Sequence, residues 1–283
     1  MKNYIFSHYE QYTGYFLSDR EFSIRTGFDE LQGFKLFFKS KMKNIPDSHL
    51  LFFSNFKCKE ELEHIEFIKH THECSVVIPA CERYRIYLNY INENSFDEDS
   101  NFVFCDCRDV IFHKNVFELL KYYPNNTIIF GNESCEFPIK NEPHNSSWLI
   151  NQNAQNIERI GNELIICSGV FIIKGLELTK LLLSQFNILL EYYIKIAKRK
   201  GINDQGIFNE MYYNILKNYK NNVMVLRNEQ NPLFVHLGLC ENQYCKYENG
   251  KFLFLDRELE PCIIHQYDRH DNLVNEFRNE YLI

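Results

Sequence analysis

Short apolar runs alternate with stretches of helical periodicity through the first part of the chain. Apolar runs at residues 2–7, 50–53 and 75–78 predict strands, and the spacing of apolar positions predicts helices over residues 28–43 and 59–69. Because strands that alternate with helices usually pair in parallel, the pattern predicts an α/β fold with a mixed, mostly parallel sheet flanked by helices.

The pattern is less regular towards the C-terminus. Residues 131–161 lack a clear period, and we expect a long irregular excursion there. The Asn249-Gly250 pair suits a type I′ turn and predicts a hairpin over residues 247–254. The other predicted elements are helices at residues 82–90, 116–123, 175–200 and 207–217, and strands at residues 127–130, 164–173, 223–226, 233–237 and from residue 261.

One apolar run ends abruptly in two carboxylates. In the segment Phe102-Val-Phe-Cys-Asp-Cys-Arg-Asp-Val-Ile-Phe112, a predicted buried strand is followed at once by Asp106 and Asp109. Open α/β sheets bind ligands at the carboxyl ends of their strands, and two acids there suit a hard divalent cation and phosphate oxygens. A structural interpretation is also open, in which Asp106 caps a turn and Asp109 pairs with Arg108 or Lys114.

Other polar residues interrupt apolar or periodic segments. Gly169 lies inside a predicted strand, where a glycine indicates a bulge or a close backbone approach, and Ser168 beside it offers a donor. Asp204 falls near a predicted helix cap, which explains one acid but not the adjacent Gln205. His265 ends an apolar run, although an isolated histidine is more often a core residue with a satisfied ring.

Two arginines precede the acidic segment on a predicted helix. For Arg83 and Arg85 the default interpretation is structural pairing with Glu82 or Asp97. The alternative is that one of them reaches a pyrophosphate in the same crevice as the acids, since a guanidinium binds phosphate oxygens in a bidentate geometry.

Composition narrows the function classes. A formal net charge of −7 without a long basic run argues against nucleic-acid binding. No run of about 18 apolar residues predicts a membrane span, and the N-terminal residues do not form a signal peptide, so we expect a cytoplasmic protein. The 10 cysteines are scattered without a repeated Cys-x-x-Cys pair, which predicts reduced, buried thiols.

Four segments together resemble the motifs of GT-A fold nucleotide-sugar glycosyltransferases, in particular the group whose acidic motif reads Asp-x-Arg-Asp-Val-x-Phe. The matching segments are Asp106-Cys-Arg-Asp-Val-Ile-Phe112, Cys167-Ser-Gly-Val-Phe171, Asn203-Asp-Gln205 and His265-Gln-Tyr-Asp-Arg269. The resemblance implies one Rossmann-like GT-A catalytic domain over residues 1–283. Its nucleotide-binding half would be residues 1–130, and its acceptor-side half, with the C-terminal hairpin and the His265 segment, residues 131–283.

The same resemblance implies a metal-dependent transferase. Asp106 and Asp109 would hold Mn²⁺ or Mg²⁺ against the diphosphate of the donor, and His265 looks like the family's third ligand. Arg108, which stands inside an Asp-x-x-Asp rather than an Asp-x-Asp motif, would supply positive charge of its own. Asp204 would be the base of an inverting displacement or an orienting group in a retaining one.

The resemblance also suggests the ligands. Arg83, pairing with a phosphate or with Asp109, would join Ser168, Gly169 and Gln205 at the nucleotide-sugar donor, for which family habit suggests a UDP-sugar. The expected acceptor is a glycan or a lipid-linked acceptor in surface polysaccharide or capsule synthesis.

Three points stay open from the sequence. A sugar nucleotidyltransferase is one alternative, disfavoured because no glycine-rich loop with lysine and arginine follows the first strand. A degenerate GT-A domain that binds a glycan or a partner without catalysis is another. The aromatic, lysine-rich helix around residues 34–42 either packs in the core or makes peripheral contact with the inner face of a membrane.

Overall fold

The computed structural model describes residues 2–9, 21–22, 32–54, 57–58, 63–70, 79–134, 136–196, 202–219, 221–241, 244–248, 250–254 and 260–282. Contacts divide the chain into two compact units. The first unit consists of Met1–Lys2, Glu73–Phe102 and Pro124–Arg227, and the second of Asn3–His72, Val103–Tyr123 and Asn228–Ile283. Each unit is therefore assembled from three separate pieces of the chain.

The described elements make up a mixed α/β fold with a large, mostly parallel sheet flanked by helices, which confirms the predicted fold class. The helices are α1 (Gln32–Asn44), α2 (Pro79–Glu93), α3 (Val116–Leu120), α4 (Pro143–Gln152), α5 (Ala154–Ile160), α6 (Leu176–Ile196), α7 (Asp204–Asn214) and α8 (Asp271–Leu282). The strands are β1 (Asn3–Tyr9), β2 (Glu21–Phe22), β3 (His49–Ser54), β4 (Lys57–Cys58), β5 (Ile65–Lys69), β6 (Asn101–Cys105), β7 (Val110–Phe112), β8 (Thr127–Gly131), β9 (Val170–Lys174), β10 (Val223–Leu226), β11 (Phe234–His236), β12 (Cys245–Glu248), β13 (Lys251–Phe254) and β14 (Ile263–His265).

In the second unit, β1, β3 and β5 pair in parallel, and the Ser7 hydroxyl donates to the Cys105 carbonyl at the end of β6. A separate three-stranded sheet has the order β11-β14-β7. Its strands and α8 share a buried core that includes Ile111, Val235, Ile264 and Phe277. The segments that flank β7 and β14 are thus held by the packing of their own strands.

Helix α1 is amphipathic because its apolar face belongs to the core of the second unit. Phe34, Phe37 and Phe38 are all buried, as the core-packing interpretation of this segment predicts. The same rings are therefore not a face that can rest on a membrane. Among the described residues, no helix is both long enough and apolar enough to cross a bilayer.

In the first unit, β10 pairs with β8 in parallel and β9 pairs with β8 in antiparallel orientation. Helix α6 buries an apolar stripe at helical spacing, formed by Leu182, Leu183, Phe186, Leu190 and Tyr193. Helix α7 is buried along most of its length, from Asp204 to Met211. Polar side chains at the start of α7 therefore need partners inside the protein.

One predicted element is wrong in type. Residues 65–69 form strand β5, not the end of a helix: Ile65 and Phe67 alternate with Glu66, and the segment pairs with β3. A short apolar run is compatible with a helix or a strand, and pairing with β3 makes this one a strand. Residues 59–62 of that prediction, and the strand predicted at 75–78, lie outside the described residues.

The stretch at residues 131–161 is not irregular, since it contains helices α4 and α5. The Glu142 side chain accepts from the Asn145 N–H and Pro143 stands in the first turn of α4. Asn153 caps α5 by accepting from the Gln155 N–H. These capping residues were present in the sequence, but the weak apolar period of the two helices concealed them. The strand predicted at residues 164–173 begins only at Val170, because residues 168–169 form a bend.

Candidate functional site

Two acids flank the short turn that joins β6 to β7 in the second unit. The Asp106 side chain is 34% exposed and the Asp109 side chain 21%. Between them, Cys107 is buried and its thiol donates to the His8 carbonyl at 3.5 Å. Burial raises the pKa of Cys107 well above its ordinary value, which keeps it a thiol and not a metal-binding thiolate. The turn therefore leaves its two carboxylates partly exposed and buries its cysteine.

The backbone of this turn is tightly packed. The Arg108 carbonyl accepts from the Tyr267 hydroxyl at 3.2 Å, and a Cβ atom at Gly33 of α1 would lie only 2.0 Å from the same oxygen. The Gln266 N–H donates to the Asp109 carbonyl at 2.7 Å. Only a glycine at position 33 lets the start of α1 approach so closely. The acids are thus held by backbone contacts from two other segments.

His265 faces both acids from the neighbouring strand. It is the last residue of β14 and pairs in register with Val110, the residue after Asp109. Its Nε2 lies 3.4 Å from Asp106 Oδ2 and 3.7 Å from Asp109 Oδ2, and its side chain is 2% exposed. One ligand atom from each of the three residues lies within 4.8 Å of the others.

The electrostatics of the cluster favour a cation. Burial raises the pKa of Asp109, and the neighbouring Asp106 raises it further, while His265 acts in the opposite sense. Two carboxylates at close range repel each other, and a divalent cation between them removes that repulsion. Carboxylate oxygens with one imidazole nitrogen are a donor set that Mn²⁺ accepts. The residues present therefore fit a divalent metal.

Arg108 is exposed beside these acids. Its guanidinium carbon lies 6.0 Å from the centre of the Tyr9 ring. A guanidinium in this position presents its donors to solvent at the edge of the acidic cluster. Burial raises the pKa of Asp109, while the positive charge of Arg108 works in the opposite sense and so acts on the acidic cluster.

A residue that the sequence did not single out lies behind His265. His236, the last residue of β11, is fully buried, and its Nδ1 lies 3.0 Å from Nδ1 of His265. Burial and the neighbouring His265 lower the pKa of His236 well below its ordinary value, so it is neutral. The available signal was the likeness of Phe234-Val-His236 to Ile263-Ile-His265, two apolar pairs that each end in histidine.

In the first unit, the predicted site residues form a buried ion-pair network. Asp204 is the first residue of α7, after the capping Asn203. Its Oδ2 accepts from the Arg83 guanidinium at 2.8 Å and from the Ser168 hydroxyl at 3.1 Å. Arg83 also donates to the Tyr84 hydroxyl at 2.9 Å. Arg83 thus pairs with Asp204, while Arg85 makes the local pair with Glu82 that the sequence predicts.

Gln205 extends this network to two residues that the sequence did not reveal. Its amide nitrogen donates to Glu133 Oε2 at 3.1 Å and to Asn145 Oδ1 at 2.8 Å. Its amide oxygen lies 3.4 Å from the Ser168 N–H. Both Glu133 and Asn145 are buried. They lie in the stretch expected to be irregular, so no periodic pattern pointed to them.

The predicted site residues thus fall into two groups that are each brought together within a unit. The second unit assembles Asp106, Asp109 and His265, with Arg108 at the edge of the cluster. The first unit assembles Arg83, Ser168, Asp204 and Gln205, with Gly169 adjacent in the same bend; its N–H contacts Cys167 Sγ at 3.4 Å.

Comparison with known proteins places the chain in a family. The sequence profile of the nucleotide-diphospho-sugar transferases matches residues 96–265, which is more than half of the chain. The matched region begins just before β6 and ends at His265, so it contains both acids, Ser168 and Asp204. A comparison with curated proteins gives no match. The chain belongs to the nucleotide-diphospho-sugar transferase family.

Proposed function

We propose that the protein is a metal-dependent glycosyltransferase. It moves a sugar from a nucleoside diphosphate donor, for which we favour a uridine diphosphate sugar, to a glycan or a lipid-linked acceptor. The observation that carries the proposal is the cluster of Asp106, Asp109 and His265 in a chain of this family. We place this activity in the cytoplasm, as the sequence predicts, in the synthesis of surface polysaccharide or capsule.

Asp106, Asp109 and His265 would hold the divalent ion, Mn²⁺ or Mg²⁺. When bound, such an ion supplies Lewis acidity that stabilises charge on the departing diphosphate. The imidazole of His265 is held against both carboxylates by strand pairing, so the three ligands need little rearrangement. Arg108, exposed at the edge of this cluster, would bind a phosphate oxygen and add a second positive charge.

The buried network of the first unit would have an orienting role. Asp204 is held by Arg83 and Ser168 through one carboxylate oxygen, and Gln205 is fixed by Glu133 and Asn145. Such a network keeps the start of α7 and the bend at Ser168 and Gly169 rigid. A base role for Asp204 stays a prediction.

The test is a thermal-shift screen of the purified protein with nucleoside diphosphates, each with Mn²⁺ and with EDTA. A ligand that binds only the native state raises the melting temperature, by about 5 °C or more when its concentration is 100 times its Kd. We expect one nucleotide to stabilise the protein only with Mn²⁺. The same nucleotide sugar should then release its diphosphate in the presence of acceptor.

Two variants make this test specific. Asp109→Asn keeps the shape of the side chain but removes its charge, and should abolish both the Mn²⁺-dependent shift and sugar transfer while the metal-free melting temperature stays close to that of the wild type. Asp47→Asn, at an exposed site of the same unit, is the control and should behave as the wild type. A full shift in EDTA would transfer the role of the metal to Arg108. No shift with any nucleotide would favour a binding domain without catalysis.

A further inference from the structure

We infer that His236 is a positioning residue that sets the tautomer and the ring orientation of His265 for metal binding. The inference rests on the proposed function, because it concerns the same cluster. It adds a residue that is not one of the three proposed ligands and lies against the histidine ligand.

Strand register brings the two histidines together. Strands β11 and β14 are parallel, and His236 pairs directly with His265. Side chains at paired positions of adjacent strands point to the same face of a sheet. The two rings are nearly perpendicular, at 87°, with centroids 5.2 Å apart and the two Nδ1 atoms 3.0 Å apart. That distance is a hydrogen bond between nitrogens.

This contact has a consequence for which nitrogen of His265 carries a proton. A hydrogen bond between two ring nitrogens contains one proton, so one Nδ1 donates and the other accepts. His265 turns Nε2 towards Asp106 and Asp109, and Nε2 needs its lone pair to bind a metal. In the metal-binding form, His265 therefore carries its proton on Nδ1 and donates it to Nδ1 of His236.

Histidine ligands generally donate their second ring nitrogen to a carboxylate or a backbone carbonyl. In this protein an imidazole takes that place. An imidazole nitrogen accepts only when it carries no proton, and Nδ1 of the fully buried His236 lies at hydrogen-bond distance from Nδ1 of His265. The geometry and the chemistry of His236 thus agree with the role of an acceptor.

His236 itself is firmly held. The Asn228 side chain brackets its backbone, accepting from the His236 N–H at 2.7 Å and donating to its carbonyl at 2.6 Å. Two residues further on, the Gly238 N–H donates to Gln266 Oε1 at 2.9 Å, and a Cβ atom at Gly238 would lie 2.4 Å from that oxygen. The ends of β11 and β14 are therefore locked together just beyond the two histidines.

The experiment compares Mn²⁺ binding to the full chain in three variants by calorimetry. His236→Phe keeps a planar ring but removes the acceptor, and should raise the Kd for Mn²⁺ about 10- to 100-fold, the range found when the partner of a metal-binding histidine is removed. His236→Asn places an amide oxygen near the position of Nδ1 and should retain most of the affinity. His113→Phe replaces another buried histidine of the same unit and should leave the Kd unchanged.

A spectroscopic measurement keeps the test independent of how well the variants fold. In protein labelled with ¹⁵N-histidine, the wild type with diamagnetic Mg²⁺ should show a scalar coupling across the hydrogen bond between the two Nδ1 nuclei, with the proton on His265. The coupling should be missing in His236→Phe. Absence of the coupling from the wild type would overturn the inference.

The outcomes separate this inference from the proposed function. If the wild type binds Mn²⁺ and His236→Phe binds it equally well, the positioning role is wrong while the metal site stands. If His236→Asn is as weak as His236→Phe although both melt like the wild type, the acceptor role is wrong. If the wild type binds no Mn²⁺, the metal-dependent function fails and the inference fails with it.

Discussion

The two groups of acidic residues differ in what neutralises them. In the first unit, Asp204 is paired with Arg83 at 2.8 Å, and both side chains are less than 10% exposed. In the second unit, Asp106 and Asp109 are partly exposed and face each other and His265. An acid that has an arginine at hydrogen-bond distance already has its charge compensated inside the protein. Two acids that face each other, one of them with a raised pKa, are typical of functional sites, and the proposed function places a cation between them.

This difference also separates stability from activity. The Arg83 and Asp204 pair is retained in a region with little water, where removal of one partner leaves an uncompensated charge. The Asp106 and Asp109 pair opposes folding through mutual repulsion, and burial already raises the pKa of Asp109. Loss of one partner of the Arg83 and Asp204 pair should therefore lower the stability of the protein, whereas loss of a charge at Asp106 or Asp109 should leave it folded and, on the proposed function, unable to bind metal.

The largest effect is expected in the first unit. Arg83→Met or Asp204→Leu alone leaves a buried charge without its partner and should lower the free energy of unfolding by about 3 to 5 kcal/mol. The double variant removes both charges and should recover most of that loss. Urea unfolding of the four proteins gives the coupling energy as a double-mutant cycle.

A small loss of stability in the single variants would contradict this prediction. If either single variant loses less than about 1 kcal/mol, as an exposed ion pair does, then solvent reaches Asp204 and the contrast between the two acid groups disappears. In that case Asp204→Asn should be tested for loss of kcat, since an accessible Asp204 would regain its candidacy as the base.

A smaller effect is expected where the backbone approaches closely. Gly33→Ala would place a methyl group 2.0 Å from the Arg108 carbonyl, so the turn that carries the acids must move. We expect a loss of about 1 to 3 kcal/mol of stability and a weakening of Mn²⁺ binding of about tenfold or more, although no ligand is changed.

Gly206→Ala is the matched substitution in the first unit. Its methyl group would meet the end of the flexible Gln152 side chain, which can turn aside at the cost of its hydrogen bond to the Asn203 carbonyl. The gain in helix propensity offsets part of that cost. Mn²⁺ binding should be unchanged, as calorimetry can show. Equal losses of Mn²⁺ affinity in Gly33→Ala and Gly206→Ala would mean that the close approach of Gly33 to the Arg108 carbonyl is not what keeps the acidic turn in place.

The site residues that end a single strand could be predicted from the sequence, but the contacts that depend on strand pairing could not. An apolar run that ends in Asp106 and Asp109, and another that ends in His265, are visible within a few residues. The register of β11 against β14, which joins His236 to His265, is set by contacts between distant segments. A single strand does not contain that information.

The partner of Arg83 could not be predicted from the sequence for the same reason. Pairing between near neighbours could be predicted, and Arg85 does pair with Glu82 three residues earlier. The partner of Arg83 is Asp204, which is far along the chain and comes close only because α2 and α7 belong to one folded unit. Buried ion pairs of this kind follow from the fold and are not marked by sequence spacing.

The smallest effect concerns another buried acid of the first unit, one whose hydrogen-bond donors are neutral, although the charge of Arg159 also acts on it. Glu210 accepts from the Tyr193 hydroxyl and from the Asn156 amide, and burial raises its pKa. A carboxyl whose pKa is higher in the folded state favours folding below its unfolded pKa, and this contribution is lost as pH rises through the folded value.

Glu210→Gln keeps an oxygen for both donors and cannot ionise. Its free energy of unfolding relative to the wild type should therefore increase from pH 4.5 upwards, by at most about 1.4 kcal/mol per pH unit. Glu158→Gln, at an exposed site of α5, should show no such trend. If the difference in free energy of unfolding between Glu210→Gln and the wild type does not change with pH, the folded state does not raise the pKa of Glu210. A buried acid of this unit would then carry its charge without an arginine at hydrogen-bond distance, and the pairing with Arg83 would not explain how Asp204 differs.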